Sequence, residues 1–479
     1  MFDLSQLGTV TDIFSGVTLD GTALRNQIAG RFERLSSCGV GKGDHVLIAH
    51  GGTTAFFVDL LAVWLRGAVA ICVNPGVTAN ELSCLADFSK PVLLIAGSAA
   101  TTPSGLSQIE PGGSETADGS LVGIKLPFTA DEQVLVLFTS GTTGDPKGVV
   151  HTAGSLFRRV TENIKIIGHD ILENTLCVLP THFGHGLIGN CLTPLMAGQH
   201  LHLFVNPGLP GIGRLSHVLD EHKITFMSAV PSFWKVALKA AEPPTFRTLK
   251  RVQVGSAPLS SQLWMDIMKW SGAQVCNMYG ITETANWAAG ACSGDFAPED
   301  GLVGRMWGGS AAVKTMSGVI SKTGEGEILL RTPGMMAGYL FRDDLTAAAM
   351  LEGWYHTGDW GTIDEGGVIR LSGRIKSEIN RAGMKVLPEE LDLLMERHPS
   401  VLEACAFGVP DPLLGEAVGI AVRLAEQAPT VKELREWCAE RIRSECVPER
   451  WFVVSEIPKT DRGKLNRDRV RNFCMDKSA

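Results

Sequence analysis

Residues 134–149 read Val-Leu-Val-Leu-Phe-Thr-Ser-Gly-Thr-Thr-Gly-Asp-Pro-Lys-Gly-Val. The first five are apolar, and such an uninterrupted run is the mark of a strand buried on both faces. The run ends in a bend. Gly141, Gly144 and Gly148 let the backbone turn sharply and lie against a ligand without a Cβ in the way. Thr139, Ser140, Thr142 and Thr143 crowd hydroxyls into the bend, and Lys147 adds a cation. A buried strand running into such a bend offers N–H and O–H donors to phosphate oxygens. The order Gly-x-x-Gly-x-Pro-Lys-Gly is not that of the Walker loop, where Gly-Lys-Ser/Thr opens a helix. A plain surface turn is the ordinary alternative, and it does not account for this order of residues behind a buried strand.

Strands and helices alternate on both sides of this loop. Before it, helical spacing at Leu24, Ile28, Phe32 and Leu35 is followed by strands at 44–48, 68–73 and 93–96, with a helix at 56–64. Residues 99–120 are rich in Ser, Thr, Gly and Pro and read as a surface loop. After it come strands at 176–179, 225–230, 251–254 and 274–278, and helices at 232–240 and 259–270. Four of these strands run into polar or glycine-rich stretches: 139–147, 180–186, 255–258 and 279–284. Alternating strands and helices predict an α/β fold of parallel-rich sheets covered by helices. Ligands in such sheets sit beyond the carboxyl ends of strands, so the four stretches are expected to form one site. From Gly301 glycines multiply and a small β-rich region without helices is expected, with strands at 326–331, 353–360 and 367–371. A final α+β segment comes last, with helices at 388–397 and 431–444 and strands at 404–408, 418–423 and 452–454.

The bulk numbers exclude several classes. A chain of 479 residues is expected to hold two or three domains. A net charge of −8 argues against nucleic acid, since there is no basic excess to neutralise phosphates. Eleven cysteines show no C-x-x-C pair and no Cys/His ligand spacing, which reads as reduced thiols in a cytoplasmic protein. The start Met-Phe-Asp-Leu-Ser-Gln lacks the basic and apolar parts of a signal peptide. The most apolar stretch, 56–73, carries Asp59 and Arg66, so no stable membrane insertion is expected.

Six motifs, in order, carry a resemblance: 139–149, Tyr279-Gly-Ile-Thr-Glu283, Tyr355-His-Thr-Gly-Asp359, Gly373-Arg-Ile-Lys376, Gly383 with Pro388-Glu-Glu390, and Pro458-Lys-Thr-Asp-Arg-Gly-Lys464. Together they resemble the adenylate-forming superfamily of acyl-CoA synthetases, peptide-synthetase adenylation domains and luciferases, and most closely its acyl- and aryl-CoA ligases. The resemblance implies an N-terminal ATP- and acid-binding domain (1–373), a hinge (374–377) and a mobile C-terminal domain (378–479). It implies attack of a carboxylate on the α-phosphate of ATP, giving acyl-AMP and pyrophosphate, and then thioester formation on coenzyme A. The alternative acceptor is the phosphopantetheine of a separate carrier protein. A non-catalytic nucleotide-binding module would be expected to have lost Lys464, Glu283 or Asp359, and all three are present.

By the same resemblance Thr139, Ser140, Gly141, Thr142, Thr143, Gly144 and Lys147 would hold the ATP phosphates. Thr282 would donate to the α-phosphate and Glu283 would hold Mg²⁺. Lys464 would neutralise charge between the acid and ATP. Asp359 would accept from the ribose hydroxyls, with Arg374 beside it. Tyr279 and Gly280 would flank the adenine, with Gly255, Ser256, Ala257 and Pro258 as the opposite wall. The acid pocket would draw on His182, Phe183, His185, Val230, Phe233 and Ile281. Lys376 would be the hinge residue, and Gly383 would lie on the thiol channel. No aspartate stands near Phe183 to pair an α-amino group, which disfavours an amino acid substrate. Physically, anion must attack anion. The step needs positive charge and fixed donors rather than an acid or base.

Overall fold

The computed structural model describes residues 3–98, 100–112, 121, 123–139, 147–381, 384–460 and 464–476. Among these, three sheets organise the chain. The apolar run 134–138 lies inside a strand, Gln133–Thr139, at the heart of a seven-stranded sheet. Its neighbour on one side is Val69–Cys72, parallel to it, and beyond that lie His45–Ile48 and Leu93–Ile95. On the other side lies Lys147–Thr152, antiparallel, with Thr139 directly opposite Lys147. The two strands that flank residues 140–146 are therefore an antiparallel pair.

The largest sheet has a parallel half built from Thr9–Asp12, His200–Leu203, Asn174–Cys177, Phe226–Ala229, Arg251–Gly255 and Gln274–Ile281. Beyond Gln274–Ile281 the sheet turns antiparallel through Asn286–Cys292 and Leu302–Met306, and reaches Ile369–Arg374 and Trp354–Ile363. Helices cover the parallel parts. Gly21–Ser37 starts at Asp20, whose carboxylate accepts from the N–H groups of Thr22 and Ala23. Thr54–Leu65 is apolar save for Thr54 and Asp59, which pairs with Arg31, and is buried along nearly its whole length. One large cluster of buried side chains joins both sheets around Phe56, Trp64, Trp234 and Trp264.

The smaller C-terminal domain has its own sheet, formed by Ile379–Arg381, Met384–Val386, Val401–Asp411, Gly415–Leu424 and Arg450–Val453. The helices Pro388–Glu396, Val431–Ala439 and Arg467–Asp476 pack on it, with separate cores around Leu391 and Phe407. The expected architecture, a large parallel-rich domain followed by a small α+β one, is what the molecule has. No helix among the described residues is long and apolar enough to cross a membrane.

Three sequence expectations need correction. The region after Gly301 does hold a helix, Asp343–Ala349, which buries none of its residues and so lacks an apolar stripe. The loop at 99–120 contains a short strand, Ser107–Ile109, that extends the seven-stranded sheet. And not all thiols are free: Cys276 and Cys292 are joined in a disulfide. They stand directly opposite each other on adjacent antiparallel strands, where side chains are close enough to bond.

Candidate active site

Most of the expected site residues stand at or just after the carboxyl ends of strands. Thr139 ends its strand in the seven-stranded sheet; in the largest sheet Gly255 ends Arg251–Gly255, and Tyr279, Gly280 and Ile281 are the last three residues of Gln274–Ile281. His182, Phe183 and His185 come after Asn174–Cys177, and Val230 comes after Phe226–Ala229. Thr282 and Glu283 open a 3-10 turn directly after Ile281. Ser140, Gly141, Thr142, Thr143, Gly144 and Gly383 lie outside the described residues.

Asp359 is the electrostatic centre. It is 4% exposed, in the middle of the strand Trp354–Ile363. One carboxylate oxygen accepts from the Tyr279 hydroxyl at 2.5 Å, and the other lies 2.8 Å from Arg374 Nε. Burial raises its pKa, and Arg374 and then Tyr279 oppose that rise. The pair is built by register, since Asp359 and Arg374 are direct cross-strand partners. Burial, with the Asp359 charge behind it, pushes the Tyr279 hydroxyl well up, so Tyr279 stays a donor.

Glu283 lies on the same side of this cluster. Its Oε1 accepts from the Tyr339 hydroxyl at 2.8 Å, and Tyr339 Oη is 3.2 Å from Tyr355 Oη. Burial raises both phenols, and the Glu283 charge adds to it. The chain has three tyrosines, and all three are in this cluster. Tyr355 opens the motif 355–359 without having been given a role, and Tyr339 lies outside every motif. The scarcity of tyrosine is the one signal in the sequence that points to them. No group of three or more acidic, His or Cys side chains capable of holding a metal occurs among the described residues. A lone, oriented carboxylate suits Mg²⁺, which keeps waters and shares its ligands with nucleotide phosphates.

His185, expected at the acid pocket, is 3% exposed. Its Nδ1 is 2.8 Å from Ser256 Oγ and its Nε2 is 2.6 Å from Ser228 Oγ. His185 opens a π-helix, His185–Leu192, a form found often at functional sites. Behind it stands an aromatic block: Trp287 is 5.7 Å from the His185 ring and packs on Phe226 and Trp307. His182 and Phe183 are buried with their rings edge to face at 5.8 Å. Phe233 and Ile281 are half-buried at the margin.

Lys464 arrives from the far end of the chain. The N–H of Thr460 donates to the Lys464 carbonyl at 2.8 Å, and Lys459 bridges Leu465. Burial holds the His185 imidazole neutral, with its pKa down at about 3, and the Lys464 charge adds to that shift. Arg374 leads straight into the 3-10 turn Ile375–Ser377, which holds Lys376, exposed.

The described geometry thus joins a buried carboxylate with two donors, an oriented second carboxylate, a neutral imidazole and a cation carried in from another domain. Comparison with known proteins identifies the chain's relatives. The family described as AMP-binding enzyme matches residues 23–340, and that described as AMP-binding enzyme C-terminal domain matches 390–464. A probable CoA ligase, CCL9, from Humulus lupulus is 32% identical over 465 residues, covering 90% of this chain and 87% of its own. An oxalate–CoA ligase from Arabidopsis thaliana is 31% identical over 475 residues, covering 92% and 91%. In fold, ATP-bound MatB from Rhodopseudomonas palustris superposes with a TM-score of 0.86 at 22% identity, over 99% of this chain and 97% of the other. The chain belongs to the AMP-binding enzyme family, as an AMP-forming acid–thiol ligase of the acyl-CoA synthetase type.

Proposed function

We propose that the protein joins a short, polar carboxylic acid to coenzyme A through an acyl-AMP intermediate. The observation that carries the choice of acid is the floor of the pocket. His185 closes it, and Trp287, Phe226 and Trp307 fill the space behind. The helix His185–Leu192 leaves no slack there: a Cβ on Gly186 would meet the Pro180 carbonyl at 2.0 Å, and one on Gly189 would meet Asn286 Nδ2 at 2.1 Å. This packing favours a compact acid, which would meet hydroxyls and an imidazole, over a long alkyl tail. The relative that acts on oxalate is consistent with this. The relatives described are CoA ligases, so coenzyme A rather than a carrier protein is the proposed acceptor.

In this reading the domains divide at 373 and 378, and residues 374–377 form the hinge. Asp359 and Arg374 bind the ribose, and Tyr279 with Gly255–Pro258 frames the adenine. Glu283, held in orientation by Tyr339, would hold Mg²⁺, which would offset phosphate charge. Thr139, Lys147 and the loop between them hold the outer phosphates, and Thr282 donates to the α-phosphate. Lys464 stands between acid and nucleotide. Its charge lowers the cost of bringing two anions together in a site shielded from water. After adenylation the small domain turns about Lys376, removes Lys464 and admits the thiol past Gly383.

Acid-dependent pyrophosphate exchange tests this. Short polar acids should support exchange, long-chain acids should not, and K464A should abolish it while Mg·ATP still binds. Exchange confined to long-chain acids would overturn the substrate class. Undiminished exchange in K464A would remove Lys464 from the chemistry. K376P should spare exchange and block thioester formation; loss of both half-reactions together would remove the hinge assignment.

A further inference from the structure

The strand Arg251–Gly255 hands the chain to Ser256, whose φ is +70°. That is the left-handed region, which glycine enters freely and serine does not. Such a backbone persists only where its surroundings hold it. The group that holds this one is His185, whose Nδ1 lies 2.8 Å from Ser256 Oγ.

The direction of each hydrogen bond is set by the donors available. Ser228 Oγ lies 3.2 Å from the Gln253 carbonyl oxygen, which can only accept, so the single Ser228 hydroxyl proton points there. Ser228 Oγ then accepts from His185 Nε2–H at 2.6 Å. A neutral imidazole with its proton on Nε2 has an acceptor at Nδ1, so Ser256 Oγ–H donates to it. Burial and the nearby Lys464 charge keep the ring neutral and this order intact. A single line of donors runs from Ser256 through His185 and Ser228 to a strand carbonyl. At one end is the loop Gly255–Pro258, and in the middle is the floor of the acid pocket.

We propose that His185 is a positioning residue for the nucleotide: by accepting from Ser256 it locks the left-handed turn that shapes the adenine wall, so ATP affinity depends on the side chain that also floors the acid pocket. The proposal rests on the assignment of residues 255–258 to ATP and of His185 to the acid. It implies reciprocity. An acid that displaces His185 from Ser256 weakens ATP binding, and ATP weakens that acid by the same factor.

The test compares two substitutions of Ser256, which is half-buried, so neither opens the core. S256A keeps the Cβ that disfavours the turn and loses the hydroxyl that holds it. S256G loses the hydroxyl and the Cβ together. Mg·ATP binding to the full-length protein is measured by calorimetry without acid. S256A should raise Kd about tenfold, and S256G by about threefold or less, since the left-handed penalty applies only to alanine. His185 loses its partner in both variants, so the difference isolates the backbone lock. H185A should match S256A, and S256G should rescue much of that loss in the double variant. Equal Kd values for S256A and S256G, or no effect of either, overturn the proposal. Wild-type protein that binds Mg·ATP but exchanges pyrophosphate with no acid would sink the ligase reading, while the Ser256 comparison would still decide this one.

Discussion

Tyr339 shows how much of the site is set by groups that would touch no substrate. Its hydroxyl donates to Glu283 and meets the Tyr355 hydroxyl, so the carboxylate proposed for Mg²⁺ has one oxygen tied down. A side chain that orients a metal ligand typically accounts for about 10- to 100-fold in metal affinity. Y339F should therefore raise the Mg²⁺ concentration for half-maximal pyrophosphate exchange by about tenfold, with nucleotide binding in the absence of Mg²⁺ unchanged. An unaltered Mg²⁺ dependence would make Tyr339 a packing residue. Buried histidines make a second prediction at this scale. His151, His185 and His202 are held neutral by burial, with pKa values down at about 4, 3 and 3. Folded values below the ordinary histidine value mean that the unfolded chain binds more protons as pH falls from 6.5 toward 4. Stability is then full above pH 6.5 and is lost on acidification. Asp392, raised to about 7 by burial, works in the opposite direction and cancels part of the effect. A net slope of about 1–3 kcal/mol per pH unit should appear in urea midpoints taken between pH 6.5 and 5. H202N, remote from the site, should flatten it. A flat profile in the wild type would mean that these rings take up protons in place.

Among the elements, the strand Gln274–Ile281 does the most. It carries Tyr279 at one register position and delivers Thr282 and Glu283 at its end, and its pairing with Asn286–Cys292 slips between Tyr279 and Gly280. A bulge of this kind re-aims side chains, and here it leaves Gly280 against the partner backbone. A Cβ on Gly280 would sit 2.0 Å from the Asn286 carbonyl oxygen. G280A must push the strands apart, so it should cost about 1–3 kcal/mol by denaturant unfolding and weaken Mg·ATP binding at the same time. Normal stability with normal binding would mean that the bulge has room to shift. The strand itself is legible in the sequence because an apolar run ends at a glycine-rich, polar stretch, and the same punctuation marks Gln133–Thr139 and Arg251–Gly255. What escapes the sequence is pairing over distance. Tyr339 reaches Glu283 because the two-residue strand Gly338–Tyr339 pairs with Val149 and Val150, and two residues show no periodicity. The serines that hold His185 stand 43 and 71 residues further along the chain, and an isolated serine carries no local mark. The pairing of Cys276 with Cys292 is hidden for the same reason: it depends on strand register, not on cysteine spacing.

At the scale of the whole molecule, two ion pairs tie the small domain to the large one. Two adjacent residues at the end of the helix Pro388–Glu396 face the large domain with opposite charge. Glu396 Oε1 lies 2.6 Å from Lys235 Nζ, and Arg397 Nη2 lies 2.5 Å from Asp300 Oδ2. Asp300 is further fixed by the Ser261 N–H, which donates to its other oxygen at 2.6 Å. Glu396 and Asp300 are mostly shielded, with side chains 17% and 9% exposed, so both pairs are stronger than open surface pairs. Because the two pairs have opposite polarity, sliding the domain by one residue would set like charges together. On the proposed hinge, this two-point contact selects the arrangement for adenylation and must be broken before the thiol enters. E396K places a cation against Lys235 and should slow pyrophosphate exchange by about tenfold, the effect of a conformational bias of about 1.4 kcal/mol. Transfer of a preformed acyl-AMP to coenzyme A, which needs the other arrangement, should hold or rise. The double reversal K235E/E396K restores the attraction with its sign inverted, and exchange should recover to within about threefold of wild type if the pair acts as a contact rather than through either residue alone. Equal losses in both half-reactions, or failure of the reversed pair to recover exchange, would show that the contact only supports the fold and does not choose between the two arrangements.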